Sequence, residues 1–330
     1  ADLDEAGFRF DLGPNVLTLP HEFDQVLQLA GTRLADEVDL VRLDPQVTYR
    51  WPNGTSLEVA DDPNATAAAV ETFSPGSGDS WRRFTDHAAR VWAANVDSVL
   101  AGPPAKRLRP AGDLDAGRTL AKASASFLDD PRLQQLVNRY ATYWGSSPYA
   151  APATAAGLFH AEQAFGCWYV TGGIVGLRDA LVRAARSVGV DIRTGVDVGR
   201  ISTDGRSVTG VEFADGGGEG ADIVVSDVDA AHLFVDLLPS PKHAKQLDKA
   251  GVSTSAFVVC AAVRGRTEGI GHHNVFFPLH DRQEFKFLEA GQLAIDPTLS
   301  VSVSSVTDAG QAPPDNENWY IAVQTPPAIG

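Results

Sequence analysis

One continuous segment near the middle of the chain, residues 169–201, most constrains the fold, because a glycine pair, a helix and an extended segment follow one another there. The helix is indicated by apolar residues at i, i+3, i+4, i+7, i+8 and i+11, which form one stripe: Leu177, Ala180, Leu181, Ala184, Ala185 and Val188. Gly189 follows directly, where a glycine commonly ends a helix. The sequence therefore predicts a helix that begins after Gly172 and Gly173 and buries one face.

Extended structure is predicted on both sides of a glycine-rich turn that follows this helix. Residues 190–192 alternate as a strand, and residues 208–213 lead into the turn DGGGEG, which is typical of a hairpin. The acidic residues of this turn would repel a pyrophosphate, so we expect a solvated hairpin rather than a phosphate-binding loop. A buried core strand is predicted at residues 223–225, and it ends close to Asp227 and Asp229.

Composition excludes several classes of protein. The chain has 330 residues, 44% of them hydrophobic, which is enough for two domains with cores of their own. Lys and Arg total 27 against 42 Asp and Glu, and the sequence shows no basic patch of the kind that binds nucleic acid. Cys167 and Cys260 lack the spacing of a disulfide framework or zinc site, which fits a reducing compartment. No run reaches the roughly 18 apolar residues of a membrane span.

The remaining patterns predict a mixed second domain. Asn53-Gly54, between strand-like runs at 47–51 and 56–60, predicts a hairpin, and a further strand is indicated at 38–43. Apolar periodicity predicts helices at about 20–31, 81–99, 113–128 and 131–143. After residue 239 the spacing of the strand-like runs favours an antiparallel sheet: 256–263, 274–278, 299–306 and 319–323.

Several strings resemble the bacterial phytoene desaturase family of carotenoid-forming flavoproteins. They are GFRFDLGPNVLTLP, WYVTGGIVGLRDALVRAA, VVSDVDAAH, SAFVVCAAVRGR, GHHNVFFP, DPTLSVSVSSVTD and APPDNENWYIAVQTPP. The resemblance covers essentially the whole chain in order, and the four late strings are its most specific part. The chain departs from the family at Asn15, where Thr or Ser is usual, and at Asp227, where Asn is usual. These departures affect the reaction subtype rather than the family.

The resemblance implies an α/β protein with a Rossmann-like FAD-binding domain and an interleaved α+β substrate domain that contains an antiparallel sheet. Residues 1–20 and 161–238 would form the FAD-binding domain, and residues 21–160 and 239–330 the substrate domain, which would face a membrane. The amino-terminal GxGxxG turn and the carboxy-terminal closing motif of the family are absent. We therefore expect an internal part of a longer protein, which by itself would bind FAD poorly and be inactive.

The implied activity is FAD-dependent desaturation of phytoene or a related acyclic carotene, in which the protein aligns the substrate and excludes water. The implied partners are the hydrophobic carotene and a membrane surface, reached from the cytoplasm by peripheral docking of apolar helices within 80–170. No nucleic acid and no metal site are expected. Three alternatives stay open: another carotene-modifying flavoprotein such as a ketolase or isomerase-like relative, a soluble FAD amine oxidase, and a non-catalytic lipid-binding fragment.

Candidate cofactor residues follow from the same resemblance. They are Gly13, Pro14, Asn15, Gly172, Gly173, Val198 and Asp229. The first three would lie beside the isoalloxazine, and the backbone of Val198 would receive the adenine. The glycine pair either lies near the cofactor or only allows close packing of strand and helix. Asp229 either contacts the ligand beyond the core strand or caps a helix.

Candidate substrate residues are mainly aromatic, because aromatic walls suit a polyene, although core packing is the commoner use of such residues. They are Trp144, Phe165, Trp168, Tyr169 and His273. We expect the helix at 81–100 and the segment 144–169 to supply the mouth and wall of an apolar route. His272 and His273 would point to opposite faces of a strand and so would not hold one metal ion together. Glu162 is the carboxylate nearest the aromatic cluster, and sequence position alone does not make it a base.

Overall fold

The computed structural model describes residues 2–96 and 115–327. Two compact units are present: Ala1–Val188 with Ser253–Gly330, and Gly189–Val252. The division into a FAD-binding and a substrate domain stays a prediction. The end of the helix predicted at 81–99 and the start of the helix predicted at 113–128 lie outside the described residues.

The elements are numbered along the whole chain. The helices are α1 Pro20–Leu29, α2 Leu34–Glu37, α3 Pro63–Phe73, α4 Gly78–Asn95, α5 Leu120–Phe127, α6 Pro131–Asn138, α7 Ala156–Phe165, α8 Val175–Ser187, α9 Ala230–His232, α10 Pro241–Ala250 and α11 Asp281–Glu289. The strands are β1 Asp2–Glu5, β2 Phe8–Asp11, β3 Leu40–Arg42, β4 Val47–Arg50, β5 Ser56–Val59, β6 Trp168–Val170, β7 Val198–Thr203, β8 Val208–Phe213, β9 Gly218–Gly220, β10 Ser255–Arg264, β11 His273–Phe276, β12 Leu299–Ser302 and β13 Asn316–Thr325. A 3-10 helix, Arg139–Trp144, directly continues α6.

Several helices begin where the sequence provides a cap. Asp62 precedes α3 and its carboxylate accepts the N–H of Asn64 at 2.9 Å. Asp130 does the same for α6, where it accepts the N–H of Arg132 at 2.8 Å. In both helices a proline follows the cap, at a position where its missing N–H costs nothing. These short local signals fix the helix starts that position the site.

A six-stranded sheet dominates the first unit, in the order β10-β13-β12-β11-β4-β5. All neighbouring pairs are antiparallel except β11 with β4, which is parallel. The antiparallel sheet predicted after residue 239 is therefore confirmed, as is the hairpin at Asn53-Gly54, where Gly54 has a φ of 81°. The sequence did not predict that β4 and β5 extend the same sheet.

The main core packs α3 to α7 against the β4–β5 end of this sheet. Tyr49, Trp81, Phe84, Tyr140 and Phe159 are fully buried there. Burying such aromatic rings removes a large apolar area from water. The expectation that the helix beginning near Trp81 forms the mouth of an apolar route fails for Trp81 and Phe84, because both rings lie in a solid core.

A second, smaller core forms where α8 packs with α1 and α2 beside the antiparallel pair β3 and β6. Its buried residues include Leu27, Leu34 and Leu177. The helix predicted from the apolar stripe is confirmed as α8. Its C-cap is Val188, and Gly189 follows with a φ of 87°, as expected for a glycine that ends a helix.

The second unit contains the antiparallel sheet β7-β8-β9, followed by α9, a short π-helical turn and α10. The hairpin after residues 208–213 is confirmed, but its returning strand is β9, Gly218–Gly220. The predictions of a strand at 190–192 and of a buried strand at 223–225 are wrong. Ile223 is 80% exposed and Val225 92% exposed, because no described strand pairs with this segment or covers it.

Candidate active site

A cavity of about 400 Å³ lies in the first unit. One wall is the chain that follows β2, a second is built by the 3-10 helix and α7, and the floor is one face of the large sheet. The chain after β2 contributes Pro14, Asn15, Val16 and Thr18. The 3-10 helix and α7 contribute Arg139, Thr142, Tyr143 and Glu162. The sheet contributes His273, Ser300, Ser302, Tyr320, Ala322 and Gln324. Two residues predicted to contact the cofactor, Pro14 and Asn15, thus share a cavity with one predicted to face the substrate, His273.

Strand register determines which side chains form the floor of the cavity. His273 on β11 lies opposite Ser302 on β12, which lies opposite Tyr320 on β13. Ser300 is two residues from Ser302 and lies opposite Ala322. Because directly opposed residues share a face and alternate residues return to it, all five belong to the same face of the sheet.

Both ends of the segment that carries Pro14 and Asn15 are fixed. At the end of β2, both carboxylate oxygens of Asp11 accept the N–H of Ile174, each at 3.0 Å. Beyond the segment, Leu17 and Trp168 exchange two backbone hydrogen bonds of 2.7 and 2.8 Å. These anchors hold the short wall against the start of α8 and against β6.

A network of hydrogen bonds forms the second wall, and all of its members except the half-exposed Tyr143 are buried. Arg139 donates to the hydroxyl of Tyr49 at 3.1 Å and to that of Tyr143 at 3.0 Å. Tyr143 in turn donates to Oε1 of Glu162 at 2.9 Å, and Tyr140 donates to Oε2 at 2.5 Å. A cation and a carboxylate are thus linked through one tyrosine hydroxyl, and each charged group has two partners, as buried charges require.

Burial determines the protonation of this network. It raises the pKa of Tyr49 to about 12 and places the pKa of Tyr140 well above the usual value. For Arg139, burial by itself would lower the pKa, but the surrounding tyrosines and Glu162 raise it overall. At neutral pH the tyrosines therefore remain hydrogen-bond donors and the guanidinium remains charged.

The two adjacent histidines lie in different environments, as expected from the alternation of a strand. His273 faces the cavity, and among the described residues its Nδ1 atom is buried without a hydrogen-bond partner. Burial and the nearby charge of Arg139 lower the pKa of His273 to about 3, so its ring is neutral. His272 lies on the opposite face, where Nδ1 is 2.8 Å from the hydroxyl of Thr307 and the ring packs against Tyr169.

Two further cavities adjoin the first. One of about 50 Å³ shares five wall residues with it: Arg139, Thr142, Ser300, Ala322 and Gln324. Another, of about 500 Å³, shares Asn138 and Asp281 with the small cavity and reaches Tyr149 and Arg282. Shared walls place the three in series, from Pro14 and Asn15 toward the start of α11. The cavity that reaches Tyr149 and Arg282, which we call the outer cavity, has a larger volume than the cavity beside Pro14 and Asn15.

The aromatic residues predicted to bind substrate lie elsewhere. Tyr169 is buried and its hydroxyl donates to Asp308 at 3.1 Å. Trp168 lines a separate depression beside α1, and its indole N–H donates to the carbonyl of Phe165 at 2.8 Å. Trp144, at the end of the 3-10 helix, is 45% exposed. Among the described wall residues of the 400 Å³ cavity only His273 comes from that predicted set, and a substrate role for the other four stays a prediction.

The glycine pair before α8 is held by protein carboxylates. The N–H of Gly172 donates to Asp308 at 2.9 Å. Gly173 has a φ of 100°, and a Cβ built on it would lie 2.9 Å from an oxygen of Asp11. Close packing by itself explains why glycine is needed at residue 173. Contact of either glycine with the cofactor stays a prediction.

The remaining two predicted cofactor residues belong to the second unit. Val198 begins β7 and is 37% exposed, and its backbone pairs with Phe213 of β8. Asp229 caps α9, where its carboxylate accepts the N–H of Ala231 at 2.8 Å. The helix cap considered for Asp229 is therefore present, and the contact of both residues with FAD stays a prediction.

Sequence reasoning did not single out Arg139 and Tyr143, and it did not assign a role to Glu162. A signal for Arg139 does exist in the stretch LQQLVNRYATYW, where a charged residue sits among apolar and aromatic ones. A charge in such a position is buried only with partners, so it marks a polar network. The partners themselves come from distant segments, which the local pattern does not identify.

Within residues 2–96 and 115–327, no group of His, Cys, Asp and Glu side chains is arranged to hold a metal ion. None of the helices in these ranges combines the length and the apolar character that a bilayer span needs.

A family model identifies the class of protein to which this chain belongs. Residues 2–310 match the family described as flavin containing amine oxidoreductase. The chain therefore belongs to this family, and its cofactor is FAD.

Curated relatives confirm the resemblance to carotenoid-forming flavoproteins. Hydroxyneurosporene desaturase from Cereibacter sphaeroides is 36% identical over 96% of this chain and 66% of the relative. The 4,4'-diapolycopene oxygenase of a Methylomonas species is 30% identical over 93% and 64%, and the lycopene-forming phytoene desaturase of a Paracoccus species is 27% identical over 98% and 66%. The chain thus spans about two thirds of the length of these relatives.

Solved structures confirm the fold class. An oxidoreductase from Methanosarcina mazei superposes with a TM-score of 0.67 at 17% identity, over 99% of this chain and 70% of that one. Putrescine oxidase bound to putrescine gives a TM-score of 0.60 at 13% identity, over 98% and 67%. At these identities the likeness concerns the fold alone, which is the mixed α/β fold of flavoproteins.

The residues around the cavity fit a flavin ring. A Cβ built on Gly13 would meet no atom within 4 Å, so space is open beside the short wall. The amide of Asn15 and the unpartnered Nδ1 of His273 offer polar contacts of the kind that the edge of a heteroaromatic ring requires. Gly13, Pro14 and Asn15 would hold the isoalloxazine, which supplies a two-electron acceptor when bound.

Proposed function

We propose that the whole protein is an FAD-dependent desaturase of phytoene or a related acyclic carotene. One observation carries this proposal: the segment expected to hold the isoalloxazine forms one wall of a cavity whose other walls belong to the large sheet and to α7. Adjoining cavities extend from there to the start of α11, in the direction a long substrate would need. The names of the relatives support the same reaction class.

In this proposal the chain's own residues align the substrate and exclude water. The sheet floor carries small side chains at Ser300, Ser302 and Ala322, so it leaves room there for an extended polyene. The network from Arg139 to Glu162 holds the opposite wall in one arrangement, because each charged group has its hydrogen bonds made within the protein. Bound FAD supplies the acceptor for the hydride that desaturation removes.

A second candidate is an acyclic carotene that bears a hydroxyl group at one end. The small cavity is lined in part by polar side chains, among them Asn138, Ser300 and Gln324, which offer hydrogen bonds to a hydroxyl group. A site built with buried polar groups discriminates strongly in favour of a substrate that satisfies them. Two relatives have names of this kind, the hydroxyneurosporene desaturase and a 1-hydroxycarotenoid 3,4-desaturase from a Flavobacterium species, which is 29% identical.

We further propose that the substrate arrives from a membrane at the start of α11. Three large apolar side chains, which we call the α11 patch, are exposed beside this helix: Leu279, Leu293 and Ile295, at 66%, 64% and 87%. The N–H of Leu279 donates to Asp296 at 3.1 Å, which holds the two loops of the patch together. Asp281 and Arg282 of α11 line the outer cavity, so the patch borders its opening. The earlier expectation placed docking on helices within 80–170.

The physical reason for a membrane route is the insolubility of the substrate. Transfer of a carotene through water costs about 0.8 kcal/mol for each CH₂ group exposed. An opening that lies against the bilayer avoids this cost. Peripheral attachment through exposed apolar side chains is the simplest device for such a position.

The test uses the whole protein loaded with FAD and mixed with liposomes that contain either phytoene or a terminally hydroxylated neurosporene. We expect flavin reduction without oxygen and the appearance of a longer polyene, seen as absorbance at longer wavelength. Turnover of putrescine with no conversion of either carotene would favour the amine oxidase alternative. Binding of carotene with no turnover of any of the three would favour the lipid-binding alternative.

A further inference from the structure

The cavity contains one carboxylate among its described wall residues, that of Glu162. The other titratable groups of the wall are poor proton acceptors. Arg139 carries a charge, the phenols of Tyr143 and Tyr320 keep their protons at neutral pH, and burial lowers the pKa of His273 to about 3. Glu162 is therefore the carboxylate that the described wall offers to a bound substrate as a proton acceptor.

The surroundings of Glu162 hold its carboxylate in one orientation while leaving it able to accept another proton. Each oxygen accepts one tyrosine hydroxyl, at 2.5 Å from Tyr140 and 2.9 Å from Tyr143. Each carboxylate oxygen has a second lone pair, so acceptor capacity remains on both. Arg139 balances the charge through Tyr143 without a direct ion pair to Glu162, which would have occupied that capacity.

We propose that Glu162 is a catalytic residue of this cavity, which stabilises positive charge on the carotene and takes up the proton that desaturation releases. This inference rests on the proposed function. It gives a chemical role to a side chain that would otherwise serve only as the counter-charge of Arg139.

Two C–H bonds break on neighbouring carbons of the carotene. One hydrogen leaves with its electron pair as a hydride, which reduces the oxidised flavin. The other leaves as a proton to an oxygen of Glu162, and its electron pair forms the new C=C bond. A carboxylate close to the polyene stabilises the positive charge that the hydride leaves behind, more strongly in a cavity from which water is excluded than in bulk water.

The central variant is Glu162→Gln in the whole protein loaded with FAD. It keeps the shape of the side chain and removes its charge and basicity. We expect carotene conversion to fall by about 100-fold or more, the range typical for loss of a general base. Flavin content and carotene affinity should stay close to those of the unmodified protein. Glu162→Asp, which retains a carboxylate, should recover part of the rate.

The matched control is Glu317→Gln, the same substitution at another buried carboxylate. Glu317 accepts hydrogen bonds from Thr267 and Trp319 and does not line the cavity. It controls for the general cost of losing a buried, hydrogen-bonded charge. We expect its conversion rate per bound flavin to match that of the unmodified protein.

Two readouts separate a chemical role from a structural one. With deuterium on the proton-losing carbon, the isotope effect on conversion should be larger in Glu162→Gln, because loss of the proton becomes slower than loss of the hydride. In the flavin-free protein, a long-chain alkyltrimethylammonium ion, held below its micellar concentration, should bind about tenfold more weakly to the variant. The neutral alcohol of the same chain length should bind equally to both.

Conversion by Glu162→Gln within about threefold of the unmodified protein would overturn the inference. A loss of rate that only follows a loss of flavin, with an unchanged isotope effect and unchanged ammonium binding, would also overturn it. If Glu162→Gln does not fold, Glu162→Asp decides through the same isotope effect and ammonium binding, which should change in the same direction. If the unmodified protein converts no carotene, the proposed function fails first and this inference fails with it.

Discussion

Replacement of Arg139 by Met tests whether the wall of the cavity depends on a buried charge. Arg139 is 7% exposed, and its guanidinium donates hydrogen bonds to Tyr49 and Tyr143. The loss of two hydrogen bonds made by a charged group costs about 1.5–3 kcal/mol each. The guanidinium also stacks 5.2–5.6 Å from the centres of three tyrosine rings, a contact that Met replaces in part. We therefore expect Arg139→Met to lower the free energy of unfolding by about 3–5 kcal/mol.

The measurement is urea unfolding of the whole protein without flavin, followed by tryptophan fluorescence. Arg82→Met is the matched control, because Arg82 is exposed and pairs only with Asp79 one turn away, and such pairs contribute little. The double variant Arg139→Met with Glu162→Gln should lose less than the sum of the single losses, since neither charge is then left alone. If Arg139→Met is no less stable than the control, the network does not hold the wall.

Three further results are expected. Gly173→Ala should lower the free energy of unfolding by about 1–3 kcal/mol, and by more than Gly172→Ala does. Both glycines have a positive φ, but only a Cβ at residue 173 would also meet a carboxylate, that of Asp11. Urea unfolding of the two variants measures the difference. Burial lowers the pKa of His272 to about 4 in the folded protein, whereas the unfolded chain takes up this proton near the ordinary pKa of about 6.5. As the pH falls from 6.5 to 4, protonation therefore favours the unfolded state, and the free energy of unfolding should fall by about 3 kcal/mol. His272→Gln should lose less stability over that range. Serine at all three positions of the α11 patch should weaken binding to liposomes by about 100-fold, at about 1 kcal/mol or more for each side chain. The same change at the exposed Val26 and Leu29 of α1 should leave liposome binding unchanged, and equal losses would contradict the proposed docking surface.

Local patterns predicted the parts of the fold that depend on local interactions. The apolar stripe from Leu177 to Val188 identified α8, and Asn53-Gly54 identified the β4–β5 hairpin, because helix periodicity and turn geometry are set by neighbours in sequence. The burial of a strand depends instead on the strands beside it. Residues 223–225 have the composition of a core strand, yet no described strand pairs with them and they are exposed.

The same distinction applies to the candidate site. His273 was found because a strand fixes the direction of each side chain from its position. Arg139 and Tyr143 were missed because their roles depend on Tyr49 and Glu162, which are 90 and 19 positions away in the chain. Trp168 and Tyr169 have aromatic side chains that suit contact with a polyene. The pairing of β6 with β3, however, places Tyr169 in the protein interior and Trp168 at the depression beside α1.

The parallel pairing of β11 with β4 has a consequence for how the protein is made. Thr48 of β4 pairs with Asn274 of β11, and Arg9 accepts a hydrogen bond from Asn318, 309 positions later. At about 5–20 residues per second, β4 leaves the ribosome roughly 10–45 seconds before its partner strand. During that interval the β4–β5 hairpin has an unpaired edge, of the kind that invites association with other chains. Such non-local contacts also slow folding, so production at lower temperature or with chaperones that bind exposed strands should increase the yield of folded protein.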